Sequence, residues 1–240
     1  MSARSGLLKG ALAAGACWLS CSVTQAGSID WNAWTSATGG TIVPDSLGVT
    51  FAIAGTGSVD NLVSSYPSYT PTTTYADGTV VNNAPVSADG IIQLAGGNTN
   101  VNTVTFSKPV VNPVMAIWSL GSGGASAQFD FINATPGLVS GGPSAEYGGK
   151  SITISGNDVF GAEGNGTVQF IGTFSSLSWT NPAYEFWYGF DVGIAGVGSS
   201  GGSSGVPEPS TLALFSIALL PFAAGLWRRS RRYATPARLT

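Results

Sequence analysis

The stretch YEFWYGFDVGI (184–194) places Tyr184, Phe186, Tyr188, Phe190, Val192 and Ile194 on one parity and Glu185, Trp187, Gly189, Asp191 and Gly193 on the other. A period of two fits a strand that buries one side and leaves the other wetter, and it does not fit a helix. Shorter runs of the same kind recur at 48–55, 90–94, 102–107, 113–120, 127–132, 150–155, 167–174 and 177–180, separated by Gly, Asn, Asp and Pro. Between 28 and 197 no window carries apolar residues at three- and four-residue spacing. Without crossover helices a parallel sheet is hard to connect, so the pattern predicts an all-β, antiparallel body. Two sheets stacked on their apolar faces give a β-sandwich of jelly-roll type, and the same period and turn spacing fit a closed barrel. The tyrosine- and proline-rich stretch 64–78 lacks sustained alternation and reads as a long surface loop.

Composition narrows the chemistry. The 240 residues include no histidine, and the two cysteines, Cys17 and Cys21, both lie near the N-terminus. There Arg4 and Lys9 precede an apolar run from Ala11 to Leu19, followed by Thr24 and Ala26 at small-residue positions ahead of Gly27. This is the pattern of a secretory signal peptide over 1–26, cut between Ala26 and Gly27. The apolar run is about half of the roughly 20 residues that a membrane span requires. A lipoprotein reading of Cys21 would need a leucine-like residue where Trp18 stands. The exported body, 27–197, then has no thiol and no imidazole, hence no disulfide and none of the usual zinc ligands. From 27 to 205 only Lys108 and Lys150 oppose eleven acids, a formal charge of −9. Nucleic acid is excluded as a partner, because phosphate binding needs clustered Lys and Arg.

After the body comes a Gly/Ser linker, 198–206, and then VPEPSTLALFSIALLPFAAGLWRRSRR. Leu212 to Trp227 carries no charge. As a helix at about 1.5 Å per residue it reaches roughly 24 Å, enough to span if flanking arginines snorkel. Arg228, Arg229, Arg231 and Arg232 act as the topology stop and keep the tail 233–240 cytoplasmic, with the body outside. Pro207 and Pro209 hold the chain extended just before the apolar run.

Together these three parts resemble the PEP-CTERM sorting signal, with Pro207, Glu208 and Pro209 as the motif, 212–227 as the transmembrane helix and Arg228 to Arg232 as the stop. The resemblance implies an exported protein that meets the secretion machinery, is anchored transiently by its C-terminal helix, and is cut near Pro-Glu-Pro by an exosortase. It further implies a cell-surface or extracellular-matrix destination; it does not reveal what the body binds, and an extracellular polysaccharide is the partner only of the alternative, carbohydrate-binding reading. The body is similar to uncharacterised PEP-CTERM proteins over 104–121 and 163–190, a likeness that implies no activity.

Catalysis has little to rest on. GSSGG (198–202) fits a nucleophilic-serine pattern only formally, since it lies in a linker and no histidine base exists. Glu146, Asp158, Glu163 and Glu185 are the acids from which a glycosidase pair could be drawn, but acids of this kind are more often solvated surface. No cofactor is called for. Asn157, Asp158, Glu163 and Asn165 offer hard oxygen ligands for calcium on a Gly-rich stretch, where turn formation explains the same residues. Trp187, on the wetter parity, and Trp34 are the candidate ligand contacts of a carbohydrate-binding surface, whereas Tyr184 and Tyr188 are expected in the core.

Overall fold

A computed structural model describes residues 28–43, 46–54 and 59–195. The expected signal peptide with Ala26 and Gly27, the expected linker, the Pro207, Glu208 and Pro209 motif, the expected transmembrane helix over 212–227 and the expected stop at Arg228, Arg229, Arg231 and Arg232 lie outside the described residues. Among the described residues no helix is long and apolar enough to cross a membrane.

The described chain is predominantly β. Its strands are β1 (Ile29–Ser36), β2 (Gly39–Ile42), β3 (Leu47–Ala54), β4 (Val59–Leu62), β5 (Ile92–Ala95), β6 (Asn98–Val111), β7 (Val114–Leu120) and β8 (Ala127–Phe131). They continue with β9 (Pro136–Gly141), β10 (Lys150–Ser151), β11 (Thr153–Ser155), β12 (Asp158–Gly161), β13 (Gly164–Phe170), β14 (Thr173–Asn181) and β15 (Phe186–Ala195). One large sheet runs in the order β10-β13-β7-β15-β1-β2-β3-β6-β14-β8-β12-β11, with β9 beside β13, β5 beside β15 and β4 beside β5. Pairing is antiparallel except for a two-residue parallel contact of β10 with β13. The expected single run 167–174 is two strands, because the chain turns at Gly172, whose φ is +134°.

The sheet curls back on itself almost as a barrel. Its seam is crossed by the chain in two residues, Ala162 and Glu163, between β12 near one end of the order and β13 near the other. Glycines make the crossing tight: a Cβ on Gly161 would stand 2.4 Å from the Leu120 carbonyl oxygen, and one on Gly164 2.6 Å from the Gly161 Cα. Inside lies an aromatic core to which strands from all round the sheet contribute, among them Phe51, Phe129, Phe131, Phe170, Trp179, Tyr188 and Phe190. Trp179 meets Phe190 edge-on at 5.0 Å and stacks on Phe51 at 6.0 Å.

β7 is buried at every position, so its outer face is covered too. The cover is the segment expected as a surface loop. Tyr69 and Tyr75 are buried, packed edge to face at 5.2 Å, and join Val81, Ala84 and Ile91 over Ile29, Trp31, Val114, Ala116 and Trp118. A short helix, α1 (Thr72–Tyr75), buries Thr74 and the Tyr75 ring. Hydrogen bonds stitch the cover down: Asn83 exchanges a pair with the Ile29 backbone at 2.7 and 2.8 Å, and Thr167 Oγ1 donates to the Tyr75 carbonyl at 2.8 Å. The expectation failed because a segment can be buried without alternating, when its rings rather than a strand face do the covering.

The two parts of the sheet meet at β1. Residues 29–31 pair with β15, and residues 32–36 pair with β2. Burial changes phase at the same place, since Trp31 faces the outer layer while Trp34 enters the inner core. β5 follows the edge of β15 only as far as Phe190, and β1 takes it up from Gly193. In that gap the fully buried Asp191 receives the Val192 N–H at 2.7 Å and the Trp34 Nε1–H at 2.8 Å on Oδ1. Its Oδ2 has no hydrogen-bond partner among the described residues. Burial, and then the charge of Asp89, push its carboxyl well above the ordinary range, against the pull of the Val192 and Trp34 bonds.

A group whose folded pKa is raised favours the native state below its unfolded pKa, and that contribution is lost as pH rises toward the folded value. Asp191→Asn keeps an acceptor at Oδ1 and removes the charge. Thermal melts from pH 4 to 8 are expected to show a flatter profile for Asp191→Asn and a gain of about 1–3 kcal/mol over the wild type at pH 8.

Candidate functional site

Because β7 is antiparallel to both neighbours, its C-terminal end meets the beginnings of β13 and β15. Each of those strands is preceded by a glutamate. Glu163 comes from the seam crossing on one side, Glu185 from the β14–β15 connection on the other, and Ser119 to Gly121 stands between them. Ser119 Oγ donates to Glu163 Oε2 at 2.9 Å. The Gly121 and Phe186 backbone N–H groups lie near the Glu185 carboxylate and pull its pKa down. Half-buried Glu185 is nevertheless pushed up to about 7, by burial first and by the Glu163 charge second. Its Oε2 is enclosed and has no hydrogen-bond partner among the described residues, and the hydroxyl of the neighbouring buried Tyr188 is also unpartnered there.

Asn165 fixes this end of the sheet. Its Oδ1 accepts from the Ser119 N–H at 2.8 Å and the Tyr75 hydroxyl at 3.4 Å, while Nδ2 donates to the carbonyls of Glu163 and Gly148. The amide expected as a cation ligand is thus fully engaged within the protein. The other calcium candidates are separated. Asp158 sits in register with Asp130 on β8, Asn157 Oδ1 takes the Thr135 hydroxyl at 2.8 Å, and Glu163 holds Ser119. Among the described residues no three Asp, Glu, His or Cys side chains form a group able to hold a metal.

Of the four acids considered for a glycosidase, Glu163 and Glu185 are neighbours, while Asp158 and Glu146 stand elsewhere. Glu146 is a clamp on the cover: it accepts the Ser68 N–H at 2.7 Å, the Ser68 hydroxyl and the Trp118 Nε1–H at 3.4 Å. Burial would raise its carboxyl, but these bonds outweigh it and hold the group below the ordinary range.

Aromatic rings surround the Glu185 side. Trp187 is 48 % exposed and Phe186 47 %, their ring centroids 6.0 Å apart and tilted by 58°. Tyr184, expected in the core, is 75 % exposed. Its parity fails because β15 is bulged: the register against β5 slips between Phe186 and Tyr188, so that alternation holds only from Tyr188 onward. The extra residue is Trp187, at φ +87°. A side chain in that region costs on the order of 1–3 kcal/mol, and bulges commonly re-aim side chains at working surfaces. Tyr184 lies across Gly97, where a Cβ would come within 3.0 Å of the tyrosine Cβ and Cδ2. Bonds from Gly96 N–H to the Glu185 carbonyl at 2.8 Å and from Gly97 N–H to the Asn181 carbonyl at 2.9 Å tie down the segment's base. Trp34, the other expected contact, is 6 % exposed and packs edge-on against Phe190, because it follows the phase change in β1.

A second concavity, a shallow groove of about 610 Å³, lies at the opposite end of β13 between Ile132, Pro136, Ile171 and Phe174. Its lining holds no titratable side chain, so it offers no acid–base chemistry.

No family model, curated protein or solved structure matches this chain.

Two measurements check this geometry. Trp187→Gly is expected to be more stable than Trp187→Ala by about 0.5–2 kcal/mol in urea unfolding, since only glycine adopts φ +87° without strain. Glu185, raised to about 7, favours the native state below its unfolded pKa and loses that contribution up to about pH 7. Glu185→Gln is therefore expected to remove a decline between pH 5 and 7 worth about 1 kcal/mol once solvent screening is allowed for.

Proposed function

We propose that this protein is an exported cell-surface or matrix protein. The signal peptide 1–26 takes it across the inner membrane, the helix 212–227 holds it briefly, and an exosortase processes it near Pro207, Glu208 and Pro209. The observation that carries this reading is the order of three parts at the C-terminus: an extended Pro-Glu-Pro, an uncharged apolar run, and Arg228, Arg229, Arg231 and Arg232. Each part serves a different physical purpose, and a simple tail anchor has no need of the first. A cysteine-free body suits an oxidising exterior, since it has no thiol to oxidise.

The body is a non-catalytic β-sandwich of jelly-roll type in this reading, with the aromatic core between its two inner faces. The Glu163–Glu185 pair is the observation in favour of the glycosidase alternative. Glu163 is hydrogen-bonded to Ser119 and Glu185 Oε2 is enclosed, which gives both acids a structural place in the non-catalytic reading.

Intact-mass measurement of the protein recovered from its host is expected to give a product that begins at Gly27 and ends near Pro209. Replacing Pro207 and Glu208 by alanine is expected to leave the full C-terminus on most of the protein. Retention of Arg228 to Arg232 on the wild-type protein in every cell fraction would overturn the processing reading.

A further inference from the structure

We propose that Tyr184, Phe186 and Trp187 form a binding ridge for a neutral polysaccharide chain. The inference goes beyond delivery and rests on the non-catalytic reading only in assigning binding rather than turnover to this end of the sheet. Three exposed rings fall within four residues, whereas Trp118, Trp179, Phe129, Phe170 and Phe190 are fully enclosed and Tyr147 is exposed on its own. The exposure is built in. Trp187 is turned outward by a bulge at φ +87°, Tyr184 lies on Gly97, and the Glu185 carbonyl between Tyr184 and Phe186 accepts the Gly96 N–H at 2.8 Å. Rings held this way lose little freedom when a ligand arrives, and rigid aromatics are effective anchors for that reason.

The chemistry of the ridge selects the ligand. A pyranose offers one face of C–H groups to an aromatic ring and a rim of hydroxyls to polar neighbours. Phe186 and Trp187, tilted by 58°, present two differently angled faces to successive units of a chain. An open ridge suits a long polymer lying across it, whereas a monosaccharide needs an enclosing pocket. Charge decides between polymers. The exported part carries eleven acids against two lysines, and Glu163 and Glu185 stand beside the ridge, so an anionic polysaccharide or an anionic lipid surface is repelled. A neutral chain meets no such penalty.

Affinity electrophoresis of the full chain in neutral detergent micelles, through native gels containing hydroxyethyl cellulose or galactomannan, tests the proposal. The wild type is expected to be retarded in at least one of these gels relative to a polymer-free gel. The double variant Tyr184→Ala/Trp187→Ala, whose charge is unchanged, is expected to bind about tenfold more weakly at an unchanged melting temperature. Should that variant fail to fold, Tyr184→Leu/Trp187→Leu keeps apolar bulk without ring faces and is expected to show the same loss. The proposal is overturned by a wild type that runs unretarded in both gels, by retardation confined to anionic alginate, or by a folded variant retarded as strongly as the wild type. A dimer in sedimentation velocity that dissociates on the double substitution would overturn it too, since the rings would then cover a second copy. None of these outcomes bears on processing at Pro207 to Pro209, so delivery and binding fail separately.

Discussion

The sheet depends on a buried hydrogen bond from an indole to a carboxyl group. Where β5 leaves the edge of β15 and β1 has yet to take it up, the ladder has a gap, and Asp191 fills it by receiving both the Val192 N–H and the Trp34 Nε1–H. That bond sets the corner at which β1 stops pairing with β15 and starts pairing with β2. A strand that serves both parts of the sheet must reverse the phase of its burial, and it does so between Trp31 and Asn32. Asn32 bears the cost, with neither amide atom bonded among the described residues while Gly40 presses against it. A buried carboxyl is an expensive way to fix a corner, and its protonation lowers that expense.

With the corner set, both faces of the central strands must be dry. The inner face finds its partners across the curled sheet, but the outer face of β7 and β15 has none from the ladder. The segment between β4 and β5 supplies them by laying Tyr69 and Tyr75 over Trp118 and its neighbours. Its own backbone bonds are mostly those of short turns and α1, and side chains of the sheet and cover add to them, Asn83 on Ile29 and Thr167 on Tyr75 among them. Burial of this kind satisfies the rule that enclosed backbone groups be paired without adding another strand.

Much of this was legible in the sequence, and what escaped notice did so for physical reasons. Period-two runs marked β3, β5 to β8 and β13 to β15, because one-sided burial writes itself into alternation. β1 was missed, since a strand that changes phase has no clean parity. The cover was missed because its rings are spaced for a turn and a short helix. Tyr184 was assigned to the core by extending a parity across a bulge, and nothing in YEFWYGF marks where the slip occurs. Glu163 and Glu185 could be nominated as acids, but their pairing follows from β7 lying between β13 and β15, a topological fact that local pattern does not contain. Ser119 and Gly121 had no sequence signal at all. The segments proposed as delivery signals carry the opposite lesson: their pattern is local in sequence, needs no fold to be read, and lies outside the described residues.

The site and the end of the sheet coincide for a reason that lies in hydrogen bonding. At the C-terminal end of β7 the strands run out of partners, and the N–H groups of Gly121 and Phe186 come to face the Glu185 carboxylate. Glu185 meets them only by leaving the aqueous surface, which raises its pKa and brings it toward Glu163. Anchoring Glu185 inward forces the residues beside it outward, and the bulge at Trp187 absorbs the mismatch between an anchored connection and a regular strand. The exposed rings are therefore a consequence of how the sheet terminates. A surface produced by termination is free of the packing that constrains the core, so it is where this architecture can vary its side chains without disturbing the corner at Asp191.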